Sequence, residues 1–243
     1  MEAESLQTHA RLEGYYWWFV GRRRVIEKIL QKYFFGKYFQ ILDWGCGTGG
    51  NFALLSKFGQ VLGVDSSDEA LRFSRERGFT NLVKAGTLEE FPDQRRFDLL
   101  TCFDVLEHIS DDTGFLRDSR NLLKPGGHIL ITVPAYQFLW SELDMVASHV
   151  RRYTKPELIR KLQTVGFVSI KASYFISILF LPIITYRFLG KLTGRAKTPR
   201  FSYIEFPKPI NWLYTKLVEL EAWALGFFDL PFGTSIILLA RKK

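Results

Sequence analysis

Ten residues, Ile41 to Gly50 (ILDWGCGTGG), hold the densest group of chemistry-bearing positions in the 243-residue chain. Asp43 stands two residues before Gly45, and Gly47, Gly49 and Gly50 follow at once. Glycines crowded in this way serve a turn that needs positive φ and a backbone that a ligand approaches closely. Gly45, Gly47 and Gly50 also satisfy the G-x-G-x-x-G spacing of a nucleotide loop. A pyrophosphate beside them would be repelled by the Asp43 carboxylate, whereas a positively charged ligand would be attracted. The stretch reads as the seat of a cationic, nucleotide-like cofactor.

Three further groups carry chemistry. Asp65 closes the apolar run QVLGV with Ser66 beside it, at the strand tip from which a βαβ nucleotide fold reaches ribose hydroxyls. Asp104, Glu107 and His108 follow the run FDLLTCF (Phe97 to Phe103). An imidazole there, with an unperturbed pKa near 6.5, suits removal of a hydroxyl proton, so His108 is the candidate general base. The competing reading leaves Glu107 and His108 as loop tethers. Beyond Pro134, Tyr136, Trp140, His149, Arg151 and Arg152 lie in a segment without clear period past a strand's carboxyl end. That pattern fits a substrate-binding loop, and the arginine pair with His149 suits a phosphate or carboxylate. A solvated connector is the alternative. Cys46 and Cys102 show no metal-ligand spacing, so neither a metal nor a disulfide is expected, as in a reducing compartment.

The elements that must position these residues follow from periodicity. Gln40 to Trp44, Gln60 to Val64, Asn81 to Ala85, Phe97 to Phe103 and His128 to Val133 read as strands, with helices between them. The apolar run at Phe97 suits a central parallel strand covered on both faces. Thr154, with Pro156 and Glu157 after it, opens a helix to Val165, and Phe167 to Ser173 and Thr234 to Arg241 are two more strands. Before the first strand, the aromatic run Tyr15 to Phe19 and Arg22 to Arg24 lead into a helix ending near Phe35.

The stretch ILDWGCGTGG resembles motif I (hhDhGCGxG) of the class I S-adenosylmethionine (SAM) methyltransferases. FDLLTCFDVLEH and LKPGGHILITVP strengthen the likeness, toward the branch that includes ubiquinone-biosynthesis O-methyltransferases and small-molecule and sugar methyltransferases. The resemblance implies an α/β fold with a seven-stranded Rossmann-like sheet, order 3-2-1-4-5-7-6 with strand 7 antiparallel, and SAM as cofactor. It implies cofactor contacts at Asp43, Gly45, Cys46, Gly47, Asp65, Ser66, Thr87, Leu88, Phe103 and Asp104. Thr87 stands where the family commonly has aspartate, and backbone amides at Thr87 and Leu88 can serve instead. In the family a segment before the first strand lies over the pocket, so residues 1–37 are expected to form a helical lid with Trp18 and Arg22 facing substrate. The core is expected at 38–173 and 232–243.

Residues 174–231 exceed the minimal fold, in which a short hairpin joins the last two strands. Tyr174 to Leu189 is nearly uncharged but shorter than the about twenty apolar residues that cross a bilayer. Arg187, Lys191, Arg195, Lys197 and Arg200 follow without an acidic residue, each worth about 1 kcal/mol near anionic lipid. Ile210 to Phe228 is an amphipathic helix bearing Trp212, Tyr214 and Trp223. Together with a net charge of +8, these features favour peripheral binding to an anionic membrane surface over nucleic acid. No stretch of signal-peptide type opens the chain, so the expected place is the cytoplasm, at the inner face of the cell membrane. A monomer or a homodimer is expected, and packing of the insertion on a second copy is the competing reading. The expected reaction is methyl transfer to a small or amphiphilic acceptor, a quinone precursor, a lipid-linked saccharide or a sugar. An NAD-dependent oxidoreductase and a non-catalytic SAM-fold protein are the alternatives.

Overall fold

The computed structural model describes residues 3–92, 96–185 and 205–243. Seven strands run β1 (Phe39–Trp44), β2 (Gly59–Asp65), β3 (Leu82–Lys84), β4 (Phe97–Phe103), β5 (Leu123–Pro134), β6 (Phe167–Phe175) and β7 (Ser235–Lys242). They pair in the order β3-β2-β1-β4-β5-β7-β6. β1 to β5 pair in parallel, and β7 lies antiparallel between β5 and β6. This is the sheet the motif resemblance implies.

Because successive strand residues point to opposite faces, each strand feeds two cores. Ile41, Leu99, Phe103, Leu130, Ile237 and Leu239 pack on one face with helices α1 (Ala3–Leu12) and α2 (Trp17–Phe34). Leu42, Leu100, Ile129, Ile131 and Leu238 pack on the other with α5 (Asp112–Leu122) and α7 (Lys155–Thr164). The remaining helices are α3 (Phe52–Leu55), α4 (Asp68–Glu76), α6 (Glu142–Val146) and α8 (Lys208–Ala224). Short 3₁₀ turns cover Leu106–His108 and Gln137–Leu139.

The segment between β6 and β7 is less separate than its sequence implies. Tyr174 and Phe175 complete β6, and Ile176 and Leu179 are buried in the first core. Residues 180–185 are helical. α8 contributes Val218 and Ala222 to the same core, and Leu225 follows them there. Its approach to α2 is close, since a Cβ on Gly21 would fall 2.7 Å from Val218 Cγ1. The basic residues Arg187, Lys191, Arg195, Lys197 and Arg200 lie outside the described residues. Among the described residues, no helix is long and apolar enough to cross a membrane.

Candidate active site

The glycine loop leaves the carboxyl end of β1 with three left-handed residues, Gly45 (φ 73°), Gly47 (φ 56°) and Gly49 (φ 83°). A Cβ at Gly45 would collide with Val105 Cγ2 at 2.2 Å, so this glycine lets the β4 loop come close. A Cβ at Gly47 would meet nothing within 4 Å, so its bare backbone faces open space. The Gly47 N–H donates to Asp65 Oδ2 (2.8 Å) and the Ser67 N–H to Asp65 Oδ1 (2.9 Å), which ties the tip of β2 to the loop. Ser66 is exposed beside it, and Ser67 caps α4 through the Ala70 N–H. Thr87 is exposed after β3, its hydroxyl accepting the Glu90 N–H (3.3 Å), and Leu88 packs partly on the second core.

Between β1 and β4 the charges are buried and incompletely matched. Asp43 sits opposite Thr101 in the sheet register and accepts its hydroxyl at 2.6 Å, while its other oxygen has no partner. Burial pushes the Asp43 carboxyl up to about 7, against the opposing pull of the Thr101 hydrogen bond and the Arg22 charge. Arg22 reaches down from α2 to pair with Asp104, a residue held at φ 55° just beyond β4. Its guanidinium lies 4.8 Å from the Trp18 ring, and its Nε is buried without a partner. Buried polar groups normally find partners. Here an orphaned carboxylate oxygen and an orphaned guanidinium N–H share one strand edge, next to an open glycine backbone. That donor set fits the amino-acid end of SAM, which carries one carboxylate and two positive charges. Cys46 and Phe103 are buried in the first core, with the Cys46 thiol pushed up by burial.

His108 ends the 3₁₀ turn after β4 and is exposed, its Nδ1 at 3.3 Å from the Ser148 carbonyl. A proton on Nδ1 donated to that carbonyl leaves the Nε2 lone pair free. The His149 ring stands edge-on 4.7 Å away, and its Nδ1 lies 2.9 Å from Asp144 Oδ1. Partial desolvation of the ring by the surrounding loops, then the neighbouring His149, hold His108 below its usual pKa. Glu107 is fully buried with no hydrogen bond to either carboxylate oxygen, His149 Nε2 lying 3.9 Å from Oε1, and burial followed by the Asp104 charge raises it well above the carboxylate range. Although the sequence shows no metal-ligand spacing, the fold gathers Glu107, His108 and His149 so that one ligand atom of each lies within 4.8 Å of the others.

Several expectations need correcting. Arg151 donates to Asp112 (3.0 Å) and to the Ser110 carbonyl. Arg152 is buried and forks onto Asp144 (2.7 and 3.0 Å). Arg152, shielded from water, needs its internal carboxylate, and Arg151, partly exposed, is already engaged by Asp112, so the two do not stand as a free anion clamp. His149, expected with the arginine pair, is held by Asp144 beside His108. Of the aromatic run, Trp17 and Phe19 are core, and Trp18 is the ring that meets Arg22. Tyr136, at φ 57°, stacks on Tyr174 (5.0 Å) and Phe138 (5.1 Å), which leaves an aromatic wall at the ends of β5 and β6. Trp140 is half-buried after the following turn.

Sequence reasoning missed Glu13. Its carboxylate accepts the Thr48 hydroxyl (2.5 Å) and Arg77 (2.7 Å), and it fills the space where Gly50 would carry a Cβ. Thr101 was also missed, although a lone hydroxyl within FDLLTCF was the available signal.

The methyltransferase domain family matches residues 20–172, more than half of the chain. A ubiquinone biosynthesis O-methyltransferase of Proteus mirabilis (strain HI4320) is 32% identical over 126 residues, covering 48% of this chain and 50% of that protein. One of Serratia proteamaculans (strain 568) is 26% identical over 168 residues, covering 62% and 70%. The chain thus spans about half the length of the first of these relatives. A solved SAM dependent methyltransferase from Archaeoglobus fulgidus aligns with a TM-score of 0.54 at 19% identity, over 90% of this chain and 94% of that one. The chain belongs to the methyltransferase domain family and has the fold of the class I SAM-dependent enzymes.

Proposed function

We propose that the protein is a SAM-dependent methyltransferase that methylates a hydroxyl of an amphiphilic acceptor reached at an anionic membrane surface. The observation that carries this reading is the pair of orphaned Asp43 and Arg22 atoms beside the carboxyl ends of β1 and β4, with a solvent-reachable His108 on the turn that follows Asp104. Asp65 would hold the ribose hydroxyls, Arg22 the carboxylate, and Asp43 with Asp104 the positive charges. When bound, SAM would supply a sulfonium methyl to an acceptor oxygen aligned with its carbon–sulfur bond, that bond breaking as the oxygen–carbon bond forms and S-adenosylhomocysteine leaving. His108 Nε2 takes the hydroxyl proton, and His149, oriented by Asp144, stands beside it. The aromatic wall around Tyr136 would receive the acceptor's ring or chain. The likeness to ubiquinone biosynthesis O-methyltransferases supports a quinone precursor as acceptor, over a lipid-linked saccharide or a soluble metabolite.

The membrane part of the reading rests on an exposed apolar band. Trp212 is 61% exposed and Trp223 57% on α8, Phe227 is 66% exposed just past its end, and Leu181 and Phe228 are exposed as well. Such aromatics settle at a lipid interface.

The test of the chemistry is methyl transfer to hydroxylated aromatic lipids by wild type and His108→Ala, with and without EDTA. Loss of one general base typically costs about 10²- to 10⁴-fold in turnover, and affinity for S-adenosylhomocysteine should stay within about twofold. Unchanged turnover in the variant would remove His108 as the base. Loss of wild-type turnover with EDTA would instead make the Glu107, His108 and His149 trio a cation site.

A further inference from the structure

Asn211 lies in the first turn of α8, and its side-chain amide reaches the corner between α1 and α2. Asn211 Oδ1 accepts the Trp17 N–H at 2.9 Å, and Asn211 Nδ2 donates to the Tyr15 carbonyl at 2.8 Å. Trp17 is the first residue of α2, and Tyr16 before it, in extended conformation, supplies no side-chain cap. The first N–H groups of a helix have no partner within it, and a side-chain oxygen ordinarily meets one of them from the preceding residue. For α2 that oxygen comes from an element 194 residues away in sequence. Because the same amide also holds the carbonyl on the other side of Tyr16, both ends of the corner are fixed at once.

Trp18 follows directly, and one turn further along α2 stands Arg22, which lies against the Trp18 ring and meets Asp104. Between them and α8 there is no slack. Gly21 touches Val218, the Trp17 ring stands edge-on to Tyr214 at 5.6 Å, and Arg24 reaches Glu219 at 3.3 Å. A change at the start of α2 is therefore transmitted to Arg22 along a rigid helix, not absorbed in a loop.

We propose that Asn211 is a positioning residue for the cofactor site. It caps α2 from the insertion and thereby holds Arg22 where it meets Asp104 and the cofactor's amino-acid end. The inference rests on the reading of Arg22 given above, and it makes the insertion a working part of the lid.

The test is a double-mutant cycle on the full chain, with S-adenosylhomocysteine affinity measured by calorimetry for wild type, Asn211→Ala, Arg22→Met and the double variant. Arg22→Met is expected to weaken binding by at least about tenfold and Asn211→Ala by about fivefold. In the Arg22→Met background Asn211→Ala should add less than about twofold, because residues acting through one contact are not additive. Asn211→Asp, which keeps an oxygen for the Trp17 N–H and loses the donor to Tyr15, should fall between wild type and Asn211→Ala. It replaces the alanine in the cycle if that variant folds poorly. A loss that adds in full to that of Arg22→Met would mean general destabilisation and overturn the inference. So would unchanged affinity in Asn211→Ala alongside weakened Arg22→Met. Unchanged affinity in Arg22→Met would overturn the reading of Arg22 itself, and this inference with it.

Discussion

Asp43 shows how a single residue can be shaped by its place in a sheet. It lies within a buried strand, and the Thr101 hydroxyl satisfies only one of its oxygens. Burial holds its pKa up at about 7, so near neutral pH the carboxyl is shared between its two forms. A cationic ligand prefers the ionised form. Raising the pH through 7 should therefore strengthen cofactor binding, and the ionised fraction rises about tenfold between pH 6 and pH 8. Calorimetric titration with S-adenosylhomocysteine across that range should give a dissociation constant that falls by about that factor. Asp43→Asn should bind more weakly and flatten the profile. A wild-type profile already flat over this range would contradict the assignment of Asp43.

At the scale of elements, the site depends on helices brought to the glycine loop from a distance. Glu13 at the end of α1 joins the loop through Thr48 and α4 through Arg77. Burial alone pushes its carboxyl up, but hydrogen bonds and charges from His9, Thr48 and Arg77 outweigh that and bring it down to about 2. A folded pKa depressed from 4.5 stabilises the fold fully above about pH 4.5, and that contribution is lost as pH falls toward 2. Its size is on the order of 3 kcal/mol. Urea unfolding at pH 7 and pH 3 should show Glu13→Gln much less stable than wild type at pH 7, with the gap narrowing at pH 3. An equal gap at both values would mean that Glu13 packs there without acting as a charge. None of this was legible in the sequence, where Glu13 is one acidic residue of an N-terminal stretch and its partners lie 35 and 64 positions away. By contrast β4 was legible to its ends, Phe97 and Phe103, because a central parallel strand covered on both faces reads as a near-continuous apolar run. The loops mislead for the opposite reason. Arg151 and Arg152 look like an anion clamp until the fold brings Asp112 and Asp144 against them.

For the whole molecule, the insertion joins two roles. Val218 of α8 packs on Gly21 of α2, while Trp212 and Trp223 of α8, with Phe227 just past its end, are exposed to solvent. If lipid covers that exposed band, the protein should float with anionic vesicles at low salt and less at high salt, since charge screening shortens with ionic strength. Trp212→Ala, Trp223→Ala and Phe227→Ala together should remove most of the bound fraction and leave cofactor affinity unchanged. Failure to float at low salt, with a dimer seen by light scattering, would show that a second copy covers the band.

We place the SAM site at the carboxyl ends of β1, β2 and β4. The most direct measurement is calorimetric titration of the purified protein with S-adenosylhomocysteine and, separately, with NAD, using Asp65→Ala as the comparison. The account predicts saturable binding of S-adenosylhomocysteine at one site per chain, weakened by at least about tenfold in Asp65→Ala as two hydroxyl contacts are lost, and no binding of NAD. Binding of neither ligand, or binding of S-adenosylhomocysteine that Asp65→Ala leaves unchanged, would contradict it.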